Sequence, residues 1–221
     1  MRKKRVIIFG TGQIAEVAAT YILEDQDAEV VAFTVEEKFI KNKSFFNCPV
    51  IAFEKLQTQY DPSLNYLFAP ISYRDMNAQR VRIYEKGKSL GYKFYSFVHK
   101  NCVNNASSIG ENCFILENNV IQPFSSIGDN CIIWSGNHIG HHSNIASHCF
   151  ISSHVIISGS VNIGAKSFLG VNCTIVDNIN VGELSLIGAG ALITKDLPSK
   201  SFVKGNPSQP HEKLNSLKVK I

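Results

Sequence analysis

Nowhere does the chain hold a run approaching the roughly 18–20 apolar residues that a membrane-spanning helix needs. Nor is an export signal expected. The opening MRKKR has the right charge, but VIIF runs at once into GTGQ and leaves no apolar region of signal length. The six cysteines include no C-x-x-C pair and, without an export signal, read as reduced thiols. Strong charge of either sign is lacking too. A net charge of +4 is too weak to imply nucleic acid, though it leaves room for a local basic site facing an anionic ligand. What remains is an ordinary soluble composition over 221 residues, enough for one large or two small domains with real cores. The expectation is a soluble, cytoplasmic protein with neither membrane nor nucleic acid as partner.

What the sequence does have is a repeat. From Ile109 it divides into sixes without an insertion: IGENCF, ILENNV, IQPFSS, IGDNCI, IWSGNH, IGHHSN, IASHCF, ISSHVI, ISGSVN, IGAKSF, LGVNCT, IVDNIN, VGELSL, IGAGAL, ITKDLP. The first position is aliphatic in all fifteen hexads, Gly follows it in seven, and the fifth position is usually small. This period suits short strands joined by tight corners, with Gly serving the turns. Three strands make a triangular coil, so fifteen hexads give five coils, each burying its aliphatics against the coils above and below. In this register Cys113, Cys131 and Cys149 stack on one face about 4.8 Å apart. Cys173 takes the same slot on another face, and all four read as small buried hydrophobes.

Residues 1–98 lack this period. RVIIFG reads as a buried strand, TGQIAEVAATYILEDQ as a helix and AEVVAFTV as a second strand. YLFAPIS, a helix over YRDMNAQRVRIYEKGKSLGY and a last strand KFYSFV complete a small Rossmann-like α/β domain. HKNCVNNASS (99–108) reads as a polar connector, and residues 199–221 leave the repeat and end in a basic tail. Gly10 and Gly12 of GTGQIA lie where a dinucleotide fingerprint would lie, at a turn where backbone can approach a phosphate. Ala15 replaces the third glycine. Thr34 stands near the end of the second strand, where an acid is expected, with Glu36 and Glu37 following, so NAD is a poor fit. Arg74, Asn77 and Arg80 fall at i, i+3 and i+6 of the second helix, one broad face open to anions or to salt bridges.

Hexads of this form resemble the left-handed parallel β-helix of the bacterial hexapeptide acyltransferases, and the handedness rests on that resemblance. The order FGTGQIAE, VHKNC, HIGHHSNI, VKGNPSQP is similar over nearly the whole chain to the nucleotide-sugar N-acetyltransferases of bacterial glycan pathways. That group includes the bacillosamine-pathway acetyltransferase and its sialic-acid O-acetyltransferase relatives. The resemblance implies a homotrimer in surface glycan or lipopolysaccharide synthesis, with acetyl-CoA along the β-helix and a UDP- or dTDP-linked amino sugar at the glycine turn. The expected division is 1–98 for the nucleotide sugar, 99–198 for acyl transfer and 199–221 contributing to CoA binding. Substrate-binding candidates are Gly10, Thr11, Gly12, Gln13, Ile14, Thr34, Glu36 and Arg74. Candidates for CoA are Gly159, Gly170 and Gly188, which keep the wall low, then Lys195, Lys204, Gly205 and Pro207, the lysines as point charges for phosphates.

Five of the seven histidines crowd into residues 136–155, and the register sorts them. His142, His148 and His154 hold the fourth position of successive hexads and lie on three different faces, so one chain cannot gather them around zinc. His138 holds a sixth position, and no metal is expected. His141 holds the third position, at a corner, where the resemblance places a general base, and its neighbour one coil on is Gly159. A neutral imidazole can take a proton from an attacking amine near neutral pH. Gly159 can offer an unshielded N–H to the thioester carbonyl as charge develops. The candidate catalytic set is therefore His141, His142 and Gly159.

The resemblance puts an acid after the base, yet His142 stands there, and two adjacent basic rings are not expected to orient each other as a carboxylate would. A backbone carbonyl, Asn118 or a neighbouring subunit is left to fix the His141 tautomer. No serine or cysteine is placed beside His141 as a nucleophile, so transfer is expected to be direct. The other readings are O-acetylation of a sugar or small hydroxyl acceptor, an acyl-carrier-protein donor, a zinc-dependent carbonic anhydrase-like protein with histidines meeting across subunits, and a non-catalytic binding scaffold.

Overall fold

The computed structural model describes residues 3–24 and 27–205. The N-terminal part is a sheet of β1 (Lys4–Phe9), β2 (Ala28–Val35), β3 (Ser44–Phe45), β4 (Cys48–Ala52), β5 (Tyr66–Phe68) and β6 (Lys93–Phe94). Its strand order is β3-β4-β2-β1-β5-β6, parallel except for the β3–β4 hairpin at the edge. The continuous apolar run of β1 follows from burial on both sides. Val6 and Ile8 meet Ala15, Ala18, Ala19 and Ile22 of α1 (Gln13–Glu24), while Ile7 and Phe9 meet Ile83 and Tyr84 of α2 (Ala78–Ser89) with Phe53 and Leu56. The chain passes from β1 to β2 on one side and later to β5 on the other, so the strand order reverses at β1. Ligand crevices form at the carboxyl ends of strands at such a point.

The second helix is shorter than its sequence suggests. It opens at Ala78, because Asp75, Met76 and Asn77 hold left-handed φ values of 53°, 49° and 67°. Asn77 and Arg80 share no anion-facing surface. Both are fully buried, and the Asn77 amide donates to the Lys166 carbonyl at 3.1 Å. The Arg80 guanidinium donates to the carbonyls of Ile71, Asn130, His148 and Cys149 at 2.9 to 3.1 Å. Burial pulls its pKa down to about 10. A buried cation is tolerable here because main-chain oxygens replace its water.

From Phe97 the chain winds as three parallel sheets of seven, six and five two-residue strands, which together fit a left-handed β-helix. The first face starts at Phe97–Val98, the second at Val103–Asn104 and the third at Ser108–Ile109. KFYSFV is thus not one strand: Lys93–Phe94 closes the N-terminal sheet, whereas Phe97–Val98 pairs with Phe114–Ile115. Nor is 99–108 a mere connector, since Val103–Asn104 pairs with Val120–Ile121 and Ser108–Ile109 with Ser126–Ile127. Past the hexads, Phe202–Val203 adds a last strand beside Leu186–Ile187. In each hexad the first position points inward and the sixth outward, the period-two rule of strands. From Ile115 to Ile193 every first position is buried in one column-built core.

The two special positions of the hexad do different work. The left-handed residue is the fourth, at Asn112, Asn118, Asn130, His142, His148, His154 and onward to Gly190, which explains the asparagines there. Gly at the second position is required by space rather than by φ. A Cβ at Gly164 would stand 2.6 Å from the Gly182 carbonyl carbon, and one at Gly140 would stand 2.5 Å from that of Ser158. The cysteine stack holds as expected, with Cys113, Cys131 and Cys149 fully buried and their thiols donating to Gly128, Ala146 and Gly164 carbonyls.

The outward sixth positions differ by face. The first carries Phe97, Phe114, Ile132 and Phe150, buried together with β1 and α1 in one core. The third carries Ser126, Asn144, Asn162 and Asn180, with Ser126 bonded to Asn144 and Asn162 to Asn180. The second exposes Val103, Val120, Ile156 and Leu192.

Candidate active site

The crevice predicted by the strand order is present. A cleft of about 670 Å³ opens at the ends of β1, β2 and β5, lined among others by Gly10, Gly12, Gln13, Ile14, Glu36 and Arg74. Gly10 has φ of 116°, a conformation that favours glycine, and its N–H is held by the Thr34 carbonyl at 2.8 Å. Nothing lies within 4 Å of where a Gly12 Cβ would be, so the turn presents bare backbone and the first amides of α1 to the cleft. Glu36 turns both carboxylate oxygens to Arg82 at 3.1 and 3.2 Å, which offsets its negative charge. Arg74 also lines the cleft and brings a cation to it.

Two expected residues of this group lie elsewhere. Thr34 is fully buried and donates its hydroxyl to the Ile51 carbonyl at 2.9 Å, because the sheet closes over it. Thr11 sits in the turn without lining the cleft. Tyr73 was not anticipated. Its ring packs 4.9 Å from Phe150 and 4.8 Å from Phe168, and it lines both this cleft and a second hollow of about 370 Å³. That hollow adds Trp134, Ser152, Ser153 and Gly170 along the corner between the first and second faces. The signal was in the hexads: aromatics recur outward on the first face alone.

His141 occupies the corner between the second and third faces. Its backbone N–H donates to Gln122 Oε1 at 2.9 Å, and its ring lies against Gly159. A Cβ at Gly159 would be 2.7 Å from His141 Cε1 and 2.8 Å from Nε2. Gly159 therefore gives the ring its place. It does not offer a free donor, as its N–H is held by Asp177 Oδ1 at 2.8 Å. The other edge of the ring meets its neighbour: His141 Nδ1 lies 3.1 Å from His142 Nδ1, with the rings at 84°. The His142 ring in turn lies on Phe124, centroids 4.8 Å apart. The two rings are thus in hydrogen-bonding contact, with His142 in the left-handed conformation at φ of 58°.

The corner histidines separate as the register requires. His148 stands at the third-to-first corner, its Nδ1 2.9 Å from the Asn130 amide nitrogen, and His154 at the first-to-second corner. Among the described residues no group of three His, Cys, Asp or Glu side chains could hold a metal ion, and no helix is long and apolar enough to cross a membrane.

The residues expected to hold CoA divide between two corners. Gly159 and the exposed Lys195 stand in the His141 column, while Gly170 and Gly188 stand at the first-to-second corner, where Gly188 packs under Gly205 beside Lys204. Pro207 lies outside the described residues. Away from these corners, Glu117 accepts from both Tyr21 and Ser135 at 2.7 Å, tying α1 to the coils.

Residues 106–141 match the family model of the bacterial transferase hexapeptide (six repeats). No curated protein sequence matches the chain. Among solved structures, the acetyltransferase domain of PglB from Neisseria gonorrhoeae is similar at 23% identity and a TM-score of 0.79, covering 95% of this chain and 100% of that one. PerB from Caulobacter crescentus, in complex with CoA and GDP-perosamine, is 24% identical with a TM-score of 0.80, over 92% of this chain and 95% of that one. WeeI from Acinetobacter baumannii shares 15% identity and a TM-score of 0.80, over 94% of this chain and 99% of that one. The likeness extends over both the N-terminal sheet and the coils, and what it shows is the fold.

Proposed function

We propose that this chain is an acetyl-CoA-dependent N-acetyltransferase acting on a nucleotide-linked amino sugar. The observation that carries the reading is one chain holding both a cleft of bare glycine backbone at a strand-order reversal and a corner histidine seated over a glycine. The nucleotide diphosphate would meet the α1 amides, the Gly10–Gly12 turn and Arg74. The acetyl donor would lie along the β-helix beside the low glycine walls, Lys195 and Lys204 reaching its phosphates. The fold-mates support both ligands, since PerB is described with CoA and with GDP-perosamine.

The amine lone pair attacks the thioester carbonyl, and His141 Nε2 takes the proton that the nitrogen loses. The tetrahedral adduct then expels the CoA thiolate, which collects a proton from the imidazolium. Because Gly159 N–H is held by Asp177, the donor for the developing oxyanion comes from elsewhere in the assembled site. O-acetyl transfer would use the same steps with a hydroxyl acceptor.

The split of the site across two corners favours an oligomer. The Tyr73 hollow and Gly170 stand on one edge of the second face, His141 and Gly159 on the other, and exposed Val120 and Ile156 lie between. Packing second faces about a three-fold axis would bring the His141 edge of one chain to the hollow of the next and cover those side chains, making the working form a homotrimer.

The test is thiol release from acetyl-CoA with a panel of UDP-, dTDP- and GDP-linked amino sugars, comparing wild type with His141→Ala. One sugar should drive release, with His141→Ala losing on the order of 10²–10⁴-fold in kcat. Release driven by no amino sugar would refute the acceptor class.

A further inference from the structure

A hydrogen bond between two imidazole nitrogens has room for one proton, and its direction decides which nitrogens are free. His141 and His142 meet Nδ1 to Nδ1 at 3.1 Å. If His142 Nδ1 carries the proton, His141 must be protonated at Nε2 when neutral, and the edge facing Gly159 has no lone pair to offer. If His141 Nδ1 carries it, His141 Nε2 is free to accept a proton over Gly159. We propose that His142 is a positioning residue that accepts the His141 Nδ1–H and so holds His141 in the tautomer that can act as base. This rests on the acyl-transfer reading for its use in catalysis, but not for its geometry.

Three features fix His142 for that task. Its φ of 58° turns its ring toward His141, Phe124 supports one ring face at 4.8 Å, and Gln122 pins the His141 backbone at 2.9 Å. With its Nδ1 accepting, neutral His142 carries its proton on Nε2. When His141 Nε2 takes the amine proton, the Nδ1–H bond is kept and becomes charge-assisted. Unlike a carboxylate, the partner is itself lost as acceptor when it gains a proton. Activity therefore needs the His142 Nδ1 lone pair as well as the His141 Nε2 one.

Two measurements test this. Spectra of the full chain with ¹⁵N-labelled histidine at pH 8 should show His141 protonated at Nδ1 and His142 at Nε2, assigned with His141→Ala and His142→Asn. The opposite pattern overturns the proposal whether or not any sugar is acetylated. In kinetics, His142→Phe keeps a ring on Phe124 but has no acceptor, and the left-handed turn accepts it, as Phe124 itself has φ of 65°. It should lose on the order of 10²-fold in kcat with KM little changed, while His142→Asn, whose Oδ1 can accept, recovers much of it. A His142→Phe enzyme with full kcat, or a His142→Asn enzyme no better than His142→Phe, refutes the role. A wild type that acetylates no amino sugar sinks the functional reading instead, and the spectra still decide the tautomer.

Discussion

Gly159→Ala tests the seat of the histidine with a single methyl group. The φ of Gly159 is not in the left-handed region, so alanine meets no conformational penalty. Its Cβ, however, would stand 2.7 Å from His141 Cε1, 2.8 Å from Nε2 and 3.3 Å from Asp177 Oδ1. Ordinary carbon contacts begin near 3.5 Å, so the ring must retreat by roughly 0.8 Å. The ring is exposed and has room to do so, which keeps the stability change within about 1 kcal/mol. Catalysis is less forgiving. A displacement of about 1 Å at a reacting group costs on the order of 10²-fold, or about 2.7 kcal/mol of barrier. Stopped-time CoA release with the identified amino sugar gives kcat, and a thermal scan gives the stability. A variant with wild-type melting and kcat within twofold of wild type would show that the imidazole does not work from its seat over Gly159.

Arg80→Met removes the donors to the carbonyls of Ile71, Asn130, His148 and Cys149, of which Cys149 keeps the Ile132 N–H, and should destabilise the chain by about 3–5 kcal/mol. That corresponds to a fall of roughly 10 °C in Tm by calorimetry for a chain of this size, and a fall under 2 °C would contradict the account. Gly12→Ala adds a methyl into open space at the cleft, so Tm should hold while KM for the nucleotide sugar rises at least about tenfold; unchanged KM would move the ligand away from this turn. Burial, with Arg80 and Lys166 adding to it, holds His148 below the usual histidine range. The unfolded chain then binds a proton that the native state does not, so stability falls as pH drops through about 6.5. His148→Asn suits the left-handed turn and extends the Asn112–Asn130 ladder, and it should narrow the difference in urea midpoint between pH 7 and pH 5. An unchanged difference would assign the acid sensitivity to other groups.

Some of this molecule could be read from the sequence because it is nearly one-dimensional. A first-position aliphatic every six residues meets its partners 18 residues away, so the periodicity alone places Ile121 over Ile139, buries Cys131 and puts His141 one rung below Gly159. The same register parts His142, His148 and His154, and the glycine turn after β1 announced the cleft. Other features were decided only in three dimensions, where contacts ignore sequence distance. Helix α2 starts late because coil carbonyls far along the chain draw Asn77 and Arg80 inward. Thr34 is lost to the cleft because β4 accepts its hydroxyl, and Gly159 is lost as a donor because Asp177 claims its N–H from the next rung. The contact between His141 and His142 depends on a backbone turn and a supporting Phe124 ring. Periodicity names the rung and the corner of a side chain; the partner of each polar atom depends on the tertiary packing around it.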